Sequence, residues 1–209
     1  NRRPLFSPDG ASIVFTGTYD ENADVYVVAA GGGEPRRLTH HPGPDAAIGF
    51  TPDGKRVLFA SMRRTPRDLP KLFTVPVGGG PAEELPLPSG ADACYSPDGR
   101  RLAYVPFPQW QAAWKKYRGG QTTPVWIADL ADSKVAKVPR ENSNDRRPMW
   151  VGETVYFLSD RNGPVTLFAY DVNGGAVREV VKNPDGFDVQ SASAGPGAIV
   201  FDQFGELKL

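Results

Sequence analysis

"FSPDG" (Phe6–Gly10), "FTPDG" (Phe50–Gly54) and "YSPDG" (Tyr95–Gly99) are three copies of one phrase, and their spacing decides the fold. Asp9, Asp53 and Asp98 recur about every 44 residues, and such a period overrides any local assignment because it marks one repeated supersecondary unit. Each copy has the chemistry of a tight turn. Proline presets φ at the first central position, aspartate bonds its own backbone, and glycine takes the left-handed corner. The three aspartates therefore read as turn residues with no catalytic role.

Outward from each turn run two apolar segments. The first is "SIVFT" from Ser12, "RVLFA" from Arg56 and "RLAYV" from Arg101; the second is "DVYVV" from Asp24, "KLFTV" from Lys71, "PVWIA" from Pro124 and "TLFAY" from Thr166. All are rich in β-branched and aromatic residues and read as strands. Glycine clusters at Gly31–Gly33, Gly78–Gly80 and Gly174–Gly175 follow three of the second runs and supply hairpin turns. A fourth unit replaces Tyr95 by Trp150 and the turn phrase by "VGE"; a fifth begins with "AIVF" at Ala198. Units of this length with four short strands and no helical period are blades of a β-propeller. The expected fold is all-β, with four-stranded antiparallel blades, about four and a half of a six-bladed ring. The expected domain is a single partial propeller over 1–209, with repeats near 3–46, 47–90, 91–140, 141–188 and a truncated 189–209.

Composition narrows function mainly by exclusion. The 24 basic and 24 acidic residues of this 209-residue chain cancel, so no long-range field gathers nucleic acid or an anionic membrane. No apolar run reaches the ~18 residues of a membrane span. The single cysteine, Cys94, forms no internal disulfide and reads as a buried small apolar residue, leaving cytoplasm and periplasm both open. A start at Asn1 and an end at "GELKL", inside a strand-like run, suggest a piece of a longer prokaryotic polypeptide.

One stretch recurs nowhere. Between Pro106 and Gln121 the third repeat gains an insert carrying Trp110, Trp114 and Tyr117 with Lys115, Lys116 and Arg118. Aromatic and cationic groups on one loop can grip an extended peptide by stacking and charge. They can equally clamp the blade onto another domain, since exposed tryptophans ask for a partner. These six residues are the candidate peptide or domain contact. No catalytic, cofactor-binding or metal-binding residue is expected: the adjacent His40 and His41 would point to opposite sides of a strand and read as loop residues, and no Gly-x-Ser-x-Gly nucleophile turn is present.

The phrases "SPDG", "LFTVPVGGG" and "PRRLT" resemble TolB-like propeller repeats. More specifically, "WKKYRGG" (Trp114–Gly120) with "VWIADL", followed by "NDRRPMWVGETVYFLSDRNG" (Asn144–Gly163), resembles the tricorn protease family over essentially the whole chain. That resemblance implies the first, six-bladed propeller of a large serine peptidase whose catalytic residues lie far downstream. It also implies a non-catalytic domain that gates or channels peptides or unfolded polypeptide, contacts other domains of its parent chain and supports a homo-oligomer. Archaeal-type members hold a peptide's terminal carboxylate with an Arg-Arg pair in a long inter-blade loop. The corresponding "THHPGPDAAIGF" from Thr39 is short and has no arginine, and the role does not pass to Arg36 and Arg37. The alternative is a TolB-like interaction scaffold of a bacterial envelope, without peptidase activity.

Overall fold

A computed structural model of the chain describes residues 2–19, 21–64, 69–109, 117–195 and 197–209. Among the described residues, nineteen strands form five antiparallel sheets, each built from strands consecutive in sequence. Blade 1 comprises Arg2–Phe6, Ser12–Tyr19, Asn22–Ala29 and Arg36–Arg37; blade 2 comprises Asp45–Phe50, Arg56–Ser61, Lys71–Pro76 and Glu83–Glu84. Blade 3 comprises Asp92–Tyr95, Arg101–Val105, Trp126–Asp129 and Val135–Lys137; blade 4 comprises Asp145–Val151, Thr154–Ser159, Thr166–Asp171 and Val177–Glu179. Blade 5 has three strands, Val189–Gly195, Ala198–Gln203 and Glu206–Lys208. The fold is an all-β propeller with four-stranded blades. The sequence leads to about four and a half blades of a six-bladed ring; the chain itself holds five, because its last 21 residues already make three hydrogen-bonded strands.

The turn formula works as a hydrogen-bonded knot with one more participant than its Pro-Asp-Gly letters suggest. Ser7 Oγ donates to Asp9 Oδ1 at 2.5 Å and accepts from Ser12 N at 2.9 Å, while Asp9 Oδ1 also accepts from Ala11 N at 3.0 Å. Thr51 with Asp53 and Ser96 with Asp98 repeat the pattern, at 2.6 Å in both. Gly10, Gly54 and Gly99 close the turns at φ of 71°, 68° and 72°, a left-handed corner that only glycine occupies without strain. The hydroxyl bond first, and the backbone N–H after it, hold all three carboxyls below their ordinary range.

The chain divides into two compact units, residues 1–91 and 92–209. In the first, blades 1 and 2 enclose a core of Val14, Val25, Val57, Phe59, Phe73 and Val75. In the second, Ala103, Val105, Val155, Phe157 and Phe168 belong to one core cluster, and Met149, Leu158, Leu167, Val189 and Phe201 to another. Central strands are buried on both faces, which is why they read as continuous apolar runs. Cys94 is half-buried against the first of these two clusters rather than fully enclosed.

Candidate functional site

A register runs through the blades that the letters of the sequence do not display. In blades 1 to 4 an aromatic ring of the second strand stacks or meets edge-on a ring directly opposite on the third: Phe15 with Tyr26, Phe59 with Phe73, Tyr104 with Trp126, Phe157 with Phe168. In blade 2, Arg63 lays its guanidinium 5.1 and 5.3 Å from the Phe59 and Phe73 ring centres. It also bonds Ser61 Oγ at 2.9 Å and the fully buried Asp45 at 2.5 Å. Blade 4 repeats this brace: Arg161 lies 5.0 Å from both Phe157 and Phe168, bonds Ser159 Oγ at 3.0 Å and pairs with buried Asp145 at 3.0 Å.

Blades 1 and 3 do not carry this brace: blade 1 has Gly17 and Tyr19 at the serine and arginine positions, and blade 3 has prolines. The arginines stand four residues after Phe59 and Phe157; the same step from Tyr104 reaches Pro108, and the serine position is Pro106. Neither hydroxyl nor guanidinium is available, and the chain leaves the sheet here into the insert. Trp126, whose counterparts Tyr26, Phe73 and Phe168 are buried, is only half-buried. It helps line an open cleft of about 510 Å³ together with Phe107, Gly120, Pro124, Lys137, Val138, Pro139, Arg140 and Asn142.

Within the cleft the two cations differ. Lys137 Nζ lies 5.3 Å from the Trp126 ring centre, a cation–π contact from the fourth strand. Arg140 is half-buried and its fork is occupied: Nη1 donates to Thr122 Oγ1 at 3.0 Å and to the Ser143 carbonyl, and Nη2 to the Thr122 carbonyl at 3.2 Å. Burial lowers the Arg140 pKa from the ordinary arginine value.

Of the six candidate residues in the insert, Trp110, Trp114, Lys115 and Lys116 lie outside the described residues; Tyr117 and Arg118 are placed. Arg118 Nη1 donates to Asp160 Oδ2 and Nη2 to the Asp160 carbonyl, each at 3.0 Å. Asn144 completes the anchor, giving its backbone N–H to Asp160 Oδ1 at 2.8 Å and its side-chain amide to Asp160 Oδ2 at 2.9 Å and to the Tyr117 carbonyl at 3.4 Å. The returning stem of the insert is thus fastened to blade 4 beside the cleft. Asp160, Asn144, Phe107, Trp126 and Lys137 escape sequence reading; the substitution of Pro106 and Pro108 within the repeat is the signal that leads to them.

His40 and His41 lie in a loop, with His41 Nδ1 accepting from Gly43 N at 2.9 Å. Arg36 donates to the Val77 and Gly78 carbonyls and Arg37 to Asp24 and the Thr39 carbonyl, so both tie blades together or brace their own. Among the described residues no three His, Cys, Asp or Glu side chains gather as a metal site, and no helix is long and apolar enough to cross a membrane.

The sequence matches the tricorn protease N-terminal beta propeller domain over residues 1–209. The chain belongs to that family. It is 30% identical over 206 residues to Tricorn protease homolog 1 of Streptomyces coelicolor, covering 98% of this chain and 19% of that protein. It is 26% identical over 192 residues to the tricorn protease of Thermoplasma acidophilum, covering 83% of this chain and 17% of that protein. The chain therefore spans less than a fifth of these curated relatives. Its fold is similar to the crystal structure of the tricorn protease, with a TM-score of 0.78 at 24% identity over 98% of this chain and 20% of that one. TolB from Acinetobacter baumannii is similar too, with a TM-score of 0.65 at 26% identity over 83% of this chain and 41% of that one.

Proposed function

We propose that this chain is the non-catalytic first propeller of a tricorn-like serine peptidase, where it passes short or unfolded peptides and supports assembly of a homo-oligomer. The family match along all 209 residues carries the reading. The blades are rigid, with cores enclosed between sheets, and a six-bladed ring of them admits an extended chain while excluding a folded one. The 209 residues act in this ring as one partial domain. The insert from Trp110 to Gly120 is its distinctive feature: Arg118 and Tyr117 fasten the stem, and the aromatic and basic residues before them contact peptide or a neighbouring domain.

The test is made on the intact polypeptide purified from its source. It is expected to be several times the 22.6 kDa of this chain and to hydrolyse fluorogenic peptides but not a folded protein. Changing Trp114 and Arg118 to alanine is expected to weaken peptide capture; unchanged capture with impaired assembly assigns the insert to docking. A polypeptide without peptidase activity overturns the reading in favour of a TolB-like scaffold.

A further inference from the structure

The repeated aromatic pairs allow blade 3 to be compared with its neighbours position by position. The fourth-strand residue opposite the second ring is Arg37, Glu84, Lys137 and Glu179 in blades 1 to 4. The residue two places before that ring is Asp24, Lys71, Pro124 and Thr166. In blades 1 and 2 these positions form opposite-charge pairs, Arg37 with Asp24 and Lys71 with Glu84, both at 2.5 Å. In blade 4 Glu179 accepts from the Asn162 amide at 2.6 Å. In blade 3 the partner position is proline, and among the described residues Lys137 has a ring beneath it but no carboxylate beside it. Elsewhere in the chain each guanidinium over an aromatic pair is neutralised by a buried aspartate.

Among the described residues the cleft lining includes Lys137 and Arg140 and no acidic residue. The edge beside it is equally prepared. Asp129 N bonds the Lys134 carbonyl and Val138 N the Val125 carbonyl, so ladder alternation turns the N–H and C=O of Val135 and Lys137 away from the sheet. All three residues of this edge strand are exposed. An extended segment can add to such an edge through its backbone while alternate side chains enter adjoining pockets.

We propose that blade 3 binds an extended peptide along Val135–Lys137, pairing an acidic side chain of that peptide with Lys137 and seating an apolar side chain two residues away, on the same face, against Trp126 and Phe107. The occupant supplies the carboxylate that Pro124 does not. An internal acidic residue fits better than a chain terminus, because the arginine fork that would clamp a terminal carboxylate bidentately is already spent on Thr122 and Ser143. The cleft volume of about 510 Å³ exceeds a single side chain and lies within the usual range of small binding sites. The inference rests on the peptide-handling reading above.

Fluorescence anisotropy on the 209-residue chain tests it, using an acetylated, amidated, fluorescein-labelled Ala-Leu-Ala-Asp-Ala-Val-Ala peptide, whose Leu and Val share a face with Asp, and its versions with Asn or Lys in place of Asp. A fourth probe carries Asn and a free terminal carboxylate. The Asp peptide is expected to bind about two- to fivefold more tightly than the Asn peptide, the range of an exposed ion pair, with the margin shrinking as salt rises. Lys137→Arg keeps the preference; Lys137→Glu transfers it to the Lys peptide. Equal binding of the Asp and Asn probes, a preference that Lys137→Glu leaves unmoved, or selective binding of the free terminus overturns the proposal while peptide handling stands. Self-association abolished by Lys137→Glu overturns it in favour of a second copy. Absence of binding by every probe overturns the proposal, while the peptide-handling reading falls only if the intact polypeptide also fails to hydrolyse peptides.

Discussion

Replacing Asp160 by alanine tests whether the insert is fastened by the blade or merely rests on it. Asp160 is 8% exposed and Asn144 6%, and the carboxylate accepts the Asn144 backbone N–H at 2.8 Å, its amide at 2.9 Å and Arg118 Nη1 at 3.0 Å. Removing it strands a buried backbone donor, which costs about 1–3 kcal/mol, and loses charge-assisted bonds as well, so Asp160→Ala is expected to lose about 2–4 kcal/mol. Arg118 is more exposed, at 37% of its side chain, and keeps its bond to the Asp160 carbonyl when only the carboxylate is removed. Arg118→Ala is expected to lose about 0.5–1.5 kcal/mol. The two changes share one bond, so the double variant should lose less than the sum, by about 0.5–1 kcal/mol. Urea unfolding of the four proteins, followed by circular dichroism, measures the cycle. Asp160→Ala within about 0.5 kcal/mol of the parent, or strict additivity, refutes the anchor.

The turn aspartates make stability depend on acid in a defined direction. Asp9, Asp53 and Asp98 are held below the ordinary value of 3.8, so in that range the unfolded chain binds more protons than the folded one. Their stabilisation is complete above that value and is lost as pH falls through the folded pKa values; Asp98→Asn should flatten the acid loss of urea midpoint, and an unchanged slope refutes the assignment. At Gly10, with φ at 71° and open space around an added Cβ, alanine meets only backbone strain, so Gly10→Ala is expected to cost about 1–2 kcal/mol and Gly10→Asn less, read from the same unfolding curves.

The propeller was legible because its strongest sequence signals are local. Pro-Asp-Gly dictates a turn whatever surrounds it, and "RVLFA" or "TLFAY" alternates or saturates with residues that suit a strand. The role of Ser7, Thr51 and Ser96 was not, since a hydroxyl that both donates to an aspartate and accepts a backbone N–H across the hairpin becomes visible only when the turn has closed. The insert could be found by its failure to repeat, but its fastening could not. Arg118 meets Asp160 across 42 residues, a separation at which sequence offers no pairing rule.

The aromatic pairs help explain why the cleft beside Trp126 opens on blade 3. Blade 1 has Gly17 and Tyr19 at the serine and arginine positions and sets Tyr19 edge-on against Tyr26, whereas blades 2 and 4 cover their aromatic pairs with an arginine whose charge is cancelled by a buried aspartate, Arg63 and Arg161. Blade 3 cannot use that solution, because the insert departs where the brace would stand and two prolines exclude its donors. Lys137 covers Trp126 from the other side, incompletely and without a counter-charge. The cleft and its unneutralised cation are therefore consequences of accommodating the insert: the sequence that adds a loop to the blade also withdraws the internal groups that would have closed it, and leaves aromatic surface and positive charge together at an open strand edge.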